Sequence, residues 1–359
     1  MRKILIITKF SYKSNRGGGI TTAQKNIFYN LNDIFNLENY FSFKDLNNKT
    51  TINFIYYFKI CKLLFHNSFN IIYINGFFSF SSSIIPIILS RFLSKSKCII
   101  SPRGMLKPSA IDNKKALKIF LIRIYKILLS HKTIFHVTDD IEFNEVRKYF
   151  KNNIHIATDF PPIRNNLFSP VTKEINELNL IYVGRIDNLK NLYGILHNLN
   201  QFKLNSNYNV KINFNIIGDI VDQQYWNKCL LLINILNEKY NIQYLGYINN
   251  DKLIQYFEQS HLFISLSEGE NFGYTIAESL SCSIPVIISK NTPFRDISKY
   301  GFGYDIDLLD NEMFCNTLLK FAKMNQNDYN NFRFKLSSNF KKYYNLESIK
   351  ESYINLLNS

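Results

Sequence analysis

Short, wholly apolar runs alternate along this chain with longer stretches whose apolar positions recur every three or four residues. Buried strands alternating with amphipathic helices predict parallel, doubly wound α/β sheets. In the first half the pattern predicts strands over 3–8, 70–74, 98–101 and 133–137. Helices are predicted over 21–31, 81–93 and 114–129, with another from 141. A polar, proline-rich break at 158–170 reads as a linker. A second series follows, with strands over 180–183, 213–217, 242–244, 262–266 and 285–288. Its helices fall over 191–199, 225–236, 252–259 and 274–281, and helical patterns close the chain after Asn311. At 359 residues the chain exceeds what one core usually sustains. Two Rossmann-like domains of similar size, with a cleft between them, are therefore expected.

Composition changes this picture little. The chain is 46% hydrophobic and 20% charged, as a folded globular protein is. Its wealth of Ile, Asn, Lys, Phe and Tyr follows AT-rich codons, so abundance of Lys or Asn carries no argument alone. Five cysteines without CxxC spacing argue against a disulfide framework or a thiolate zinc site and fit a reducing cytosol. The apolar run at residues 4–7 is too short for a signal peptide and reads as a first strand. The most apolar stretches, such as 84–93 with Pro86 and Arg91, fall short of the roughly 20 residues a spanning helix needs.

Charge adds more. The net charge is +15, yet residues 1–170 hold 25 Lys and Arg against 9 Asp and Glu, and the remainder holds 18 against 19. Codon bias would act on both halves alike, so the basic half is expected to meet a polyanion. In the helix predicted over 114–129, Lys114, Lys115, Lys118, Arg123 and Lys126 share one half of the helical wheel. That pattern suits either a surface-lying membrane helix or a core helix with a solvated lysine face. Aromatic-rich stretches at 55–65 and 77–80 lie in the same half.

Four segments carry candidate chemistry. In residues 262–288 a buried strand enters a polar loop with Glu270, Asn271, Phe272 and Gly273, and a helix bearing Glu278 follows. N–H groups at a helix start attract phosphate, and a loop carboxylate can accept from sugar hydroxyls. Equally, Glu270 could be a plain helix N-terminal charge and Glu278 a solvated one. The second segment ends a strand at Gly184 and supplies Arg185 and Lys190, which could neutralise a leaving diphosphate or be exposed loop cations. The third, residues 14–22, holds Gly17, Gly18 and Gly19 with Thr21 or Thr22 as a helix cap. Its glycines permit close backbone approach to a ligand, or simply a flexible turn. The fourth, residues 99–111, places Arg103 after a strand, where it could bind phosphate or an anionic acceptor. Residues 136–142, with Thr138 and Glu142, read as structural. Asp305-Ile-Asp307 spells a DxD, a pattern common by chance, and no metal site is assigned to it.

The stretch GENFGYTIAESLSCSIPVIIS resembles the Glu-x7-Glu donor-site signature of glycosyltransferase family 4, a retaining family of GT-B fold. Residues 184–190 are similar to its GR-x4-K element, residues 17–19 to its glycine loop, and residues 102–106 to the PRGML/PHGML loop of one branch. The resemblance covers nearly the whole chain and is strongest over 180–305. It departs at Arg103, where many relatives place histidine, and at 156–162. It implies an N-terminal acceptor domain over 1–164 with a C-terminal helix at about 343–359 crossing back, and a donor domain over 165–342. It also implies Glu270, Arg185 and Lys190 as catalytic residues, with Gly18, Gly19, Asn271, Phe272, Gly273 and Glu278 binding the donor and Arg103 on the acceptor or phosphate side. No cofactor and no metal are expected.

The expected reaction moves a hexosyl group with retention from a nucleotide sugar, a UDP- in preference to a GDP-sugar. The acceptor is a glycan, such as one linked to undecaprenyl diphosphate, in O-antigen, capsule or exopolysaccharide assembly. The expected setting is cytoplasmic, at the anionic inner leaflet. An epimerase or phosphorylase on the same fold is the alternative. A nucleic-acid partner is not expected, since no nucleic-acid module is recognisable.

Overall fold

The computed structural model describes residues 1–9, 11, 18–41, 54–66, 69–93, 95–112, 114–162, 171–204 and 209–359. The chain forms two compact units, Met1–Phe160 with Leu346–Ser359, and Pro161–Asn345.

Unit 1 contains β1 (Lys3–Thr8), α1 (Gly18–Leu31), β2 (Asn36–Phe41), α2 (Phe54–His66), β3 (Ile71–Asn75), α3 (Ile85–Leu93), β4 (Lys97–Ser101), α4 (Pro108–Asp112), α5 (Lys115–Leu128), β5 (Ile134–Val137), α6 (Asp140–Arg147) and β6 (Asn153–Ile156). Its sheet is parallel, in the order β2-β1-β3-β4-β5-β6. Every residue of β3 and β5 is buried, which is why both read as mainly apolar runs, with Asn75 ending β3 and His136 inside β5 as the buried polar exceptions. Each such Ile or Phe side chain contributes roughly 1.5–3 kcal/mol by leaving water.

Unit 2 contains β7 (Glu177–Val183), α7 (Leu192–Leu204), β8 (Lys211–Ile217), α8 (Gln223–Leu236), β9 (Asn241–Gly246), α9 (Asn250–Glu258), β10 (Leu262–Ser265), α10 (Tyr274–Ser281), β11 (Val286–Ser289), β12 (Gly303–Ile306), α11 (Asn311–Lys323) and α12 (Gln326–Tyr343). Its parallel sheet runs β12-β11-β10-β7-β8-β9. The last helix, α13 (Leu346–Asn358), belongs to unit 1. Arg2 Nη1 donates to Leu357 O (2.8 Å), Tyr353 Oη to Asp159 Oδ1 (3.0 Å), and Tyr353 stacks on Phe160. No helix among the described residues is long and apolar enough to cross a membrane.

The structure corrects several sequence expectations. Strands β2, β6 and β12 were not predicted. All three are edge strands with one paired side, and β2 and β6 are polar and partly exposed, so neither has an apolar run. Helix α1 starts at Gly18, ahead of the expected Thr21 or Thr22 cap. Thr21 is buried, and Thr22 Oγ1 donates back to Gly18 O (3.3 Å). The helix expected over 81–93 is a π-helical turn, Phe80–Ile84, followed by α3. Ser79 opens the turn by accepting from Ser82 N. Residues 14–17 of the glycine segment and 163–170 of the linker lie outside the described residues.

Candidate active site

In unit 2 the strand order reverses between β7 and β10. Ligands of open parallel sheets bind beyond the carboxyl ends of the strands at such a switch point. The two loops that leave β7 and β10 there contain Arg185, Lys190 and Glu270. They are sewn together, since Glu268 N donates to Leu189 O (2.8 Å) and Ser267 Oγ donates to the same carbonyl (3.0 Å). Lys190 Nζ donates to Glu270 Oε1, and both side chains are mostly buried, 19% and 11% exposed. The pair thus joins residues eighty positions apart in sequence.

Local chemistry shapes the β7 loop. Asp187 caps a single 3-10 turn over Asn188–Lys190 by accepting from Lys190 N (3.0 Å). Arg185 pairs with Asp187 Oδ2 (3.2 Å) but stays 58% exposed. Burial pushes the Tyr182 phenol well above its ordinary pKa, so it stays protonated and donates to Arg185 O (2.8 Å). Gly218 closes the neighbouring strand end. A Cβ there would lie 1.8 Å from Gly184 O, so only glycine allows these two backbones to touch.

The β10 loop leads directly into α10. Gly273 adopts φ +78° at its N-cap, and no side chain caps the helix. First-turn N–H groups therefore point out of the helix start toward the Glu270 loop. Phe272 is buried against Tyr274 and Tyr344. Asn271 Oδ1 is buried with no hydrogen-bond partner among the described residues. Glu278 is half-buried on α10.

The remaining candidates belong to unit 1. Gly18 and Gly19 form the first turn of α1, and Gly18 has φ +55° with open space where a Cβ would be. Arg103 is buried and forms the hub of a hydrogen-bonded cluster. Its Nε donates to Asn75 Oδ1 (2.7 Å), its Nη2 to Tyr73 Oη (3.1 Å), and its Nη1 pairs with Asp159. Asn75 Nδ2 donates in turn to Ile20 O in α1 (3.3 Å), and Tyr353 Oη to Asp159. Burial drives the His136 pKa down to about 3, so the imidazole is neutral. Tyr73, whose pKa burial raises to about 12, donates to His136 Nδ1 (2.5 Å), and His136 Nε2 donates to Ala157 O (2.9 Å). Glu142 accepts from Gly104 N (2.5 Å) and Thr138 N (2.9 Å), pinning the Arg103 loop to the β5–α6 turn.

Sequence reasoning missed Asp187, Asp159 and Tyr353. Asp187 had a local signal, a capping residue three before Lys190. Asp159 and Tyr353 had none. The DxD aspartates are engaged elsewhere. Asp305 accepts from Asp296 N (3.1 Å) and Ile297 N (3.0 Å), and Asp307 pairs with Lys290.

Residues 164–342 match the family model described as glycosyl transferases group 1. An uncharacterized 41.2 kDa protein in the cps region of Klebsiella pneumoniae is 26% identical over 258 residues, 67% of this chain and 66% of that protein. S. aureus TarM, solved with UDP and glycan ligands, has a TM-score of 0.65 at 18% identity, over 84% of this chain and 58% of its own. Anabaena HepE, solved with UDP and glucose, has a TM-score of 0.72 at 13% identity over 100% of both chains. This chain therefore spans just under two thirds of the Klebsiella protein and 58% of the TarM chain. Two six-stranded parallel Rossmann-like units define the GT-B fold. The chain has that fold, and residues 164–342, all within unit 2, carry the similarity to glycosyl transferases group 1.

Proposed function

We propose that this chain is a retaining transferase of family 4, moving a hexosyl group from a nucleotide sugar to a glycan acceptor. The observation that carries the proposal is the Lys190–Glu270 pair at the β7/β10 switch point, beside the uncapped start of α10. In this reading negative charge builds on the departing nucleoside diphosphate. Arg185 and Lys190 neutralise it, and N–H groups at Phe272 and Gly273 face its phosphates, so no metal is called for. Glu270 accepts from donor hydroxyls and holds the anomeric carbon in place, and Asn271 Oδ1 takes a further hydroxyl. Glu278 binds the ribose, and Gly18 and Gly19 allow close backbone approach. The leaving diphosphate and the incoming hydroxyl share one face, which gives retention. A UDP-sugar is favoured over a GDP-sugar, in keeping with the UDP complexes of HepE and TarM.

The setting we propose is bacterial surface polysaccharide assembly, in keeping with the cps-region relative. We assign acceptor recognition to unit 1 and propose a lipid-linked glycan at the anionic inner leaflet. Helix α5 supports this. It exposes Leu117 (55%), Phe120 (58%) and Ile127 (84%) among its lysines and arginine, and a merely solvated lysine face would not explain those apolar side chains. A thermal-shift screen of UDP- and GDP-sugars tests the donor assignment. One donor should stabilise the wild type and lose that effect in Glu270→Ala and Glu278→Ala. Undiminished stabilisation in both variants refutes it.

A further inference from the structure

A cavity of about 610 Å³ opens at the amino ends of β4, β5 and β6, at the opposite end of the unit 1 sheet from Arg103 and its partners. Its walls are the end of α3, the segment entering β4, and the turn from α5 to β5. Arg91, Lys95, Lys97 and Lys132 line it, with His131, and no acidic residue does. Among the described residues none of these four cations forms an ion pair, whereas Lys3, Lys115 and Lys148 of the same unit each hold a carboxylate. An exposed lysine alone is simply solvated. Four like charges converging on one concavity raise its potential and favour an anion there.

Exposed residues next in sequence to the lining narrow the class of anion. Phe92, directly after Arg91, is 72% exposed, and Ile127, directly before Leu128, is 84% exposed. Large apolar side chains exposed next in sequence to the lining of a cationic cavity gain nothing from a soluble anion. They gain from insertion into the acyl boundary beside a headgroup. We infer that this cavity receives the phosphate headgroup of an anionic membrane lipid, with Phe92 and Ile127 entering the bilayer interface beside it. The inference rests on the peripheral-membrane reading above and adds the contact point.

The test is sedimentation of the full chain with vesicles of phosphatidylglycerol and phosphatidylcholine, or of phosphatidylcholine alone. Wild type should bind only the anionic vesicles. Lys95→Glu/Lys132→Glu should bind at least about tenfold more weakly, as follows from reversing two cations at an anionic surface. Phe92→Ser/Ile127→Ser should weaken vesicle binding, and melting temperatures near wild type would confirm folding. A wild type that ignores anionic vesicles overturns the membrane reading and the inference with it. Equal vesicle binding by wild type and the Lys95/Lys132 variant overturns the cavity as contact point and leaves the membrane reading standing. Stabilisation by inorganic phosphate, with vesicle binding indifferent to Phe92 and Ile127, would assign the cavity to a soluble anion instead.

Discussion

At the residue scale, the two halves of the molecule use charge differently. Lys190 and Glu270 pair with 19% and 11% of their side chains exposed, on loops that also carry the exposed Arg185. Arg103 and Asp159 pair deep in unit 1, with side chains 3% and 2% exposed. Removing one partner of such a pair leaves a buried charge uncompensated. Arg103→Met should therefore lower stability by about 3–5 kcal/mol in urea unfolding, and Arg103→Met/Asp159→Leu should recover part of it. A loss near zero would remove Arg103 from the core of unit 1. The neutral histidines give a pH signature. His136 and His261 are held at about 3 and about 4, below the ordinary value of about 6.5 that the unfolded chain retains. The unfolded chain then binds more protons, so this stabilisation is complete above about pH 6.5 and declines as pH falls toward about 3. Glu142, raised by burial, acts in the opposite direction. The melting temperature of His136→Gln should fall less steeply from pH 6.5 downward than that of wild type, and parallel curves would contradict the assignment. The sequence located Arg103 at a strand end but not its role. Asp159 lies 56 residues away and Tyr353 another 194, and no local pattern encodes such contacts.

At the element scale, the interior strands and most helices were legible because burial on both faces leaves mainly apolar runs. Helix α10 was read to the residue, Tyr274–Ser281. The edge strands were not, since a half-wet strand such as Asn36–Phe41 can be polar without loss of pairing. The start of α10 depends on Gly273. With φ +78°, a Cβ would sit 3.1 Å from Ile276 Cδ1 and 3.2 Å from Phe294 Cε2. Gly273→Ala should cost about 1–2 kcal/mol for the left-handed backbone. It should also weaken donor binding about tenfold or more by displacing the 271–273 backbone. Calorimetric titration with UDP and urea unfolding read the two effects separately, and unchanged affinity would detach this helix start from donor binding.

At the scale of the whole molecule, both sheets were legible as parallel α/β units, but their strand orders were not. That order matters because it puts the reversal between β7 and β10. The resemblance alone joined the Arg185–Lys190 and Glu270–Glu278 segments, and across this reversal Lys190 and Glu270 are in contact. The charge asymmetry likewise acquired locations, the α5 surface and the cavity around Lys95 and Lys132. The proposed donor site requires Lys190 to meet a nucleoside diphosphate beside Glu270. Calorimetric titration of UDP into wild type and Lys190→Ala tests this most directly. Wild type should bind UDP and the variant should bind it at least about tenfold more weakly, as befits removal of a charge-assisted phosphate contact. Equal affinity in the two proteins would contradict that requirement.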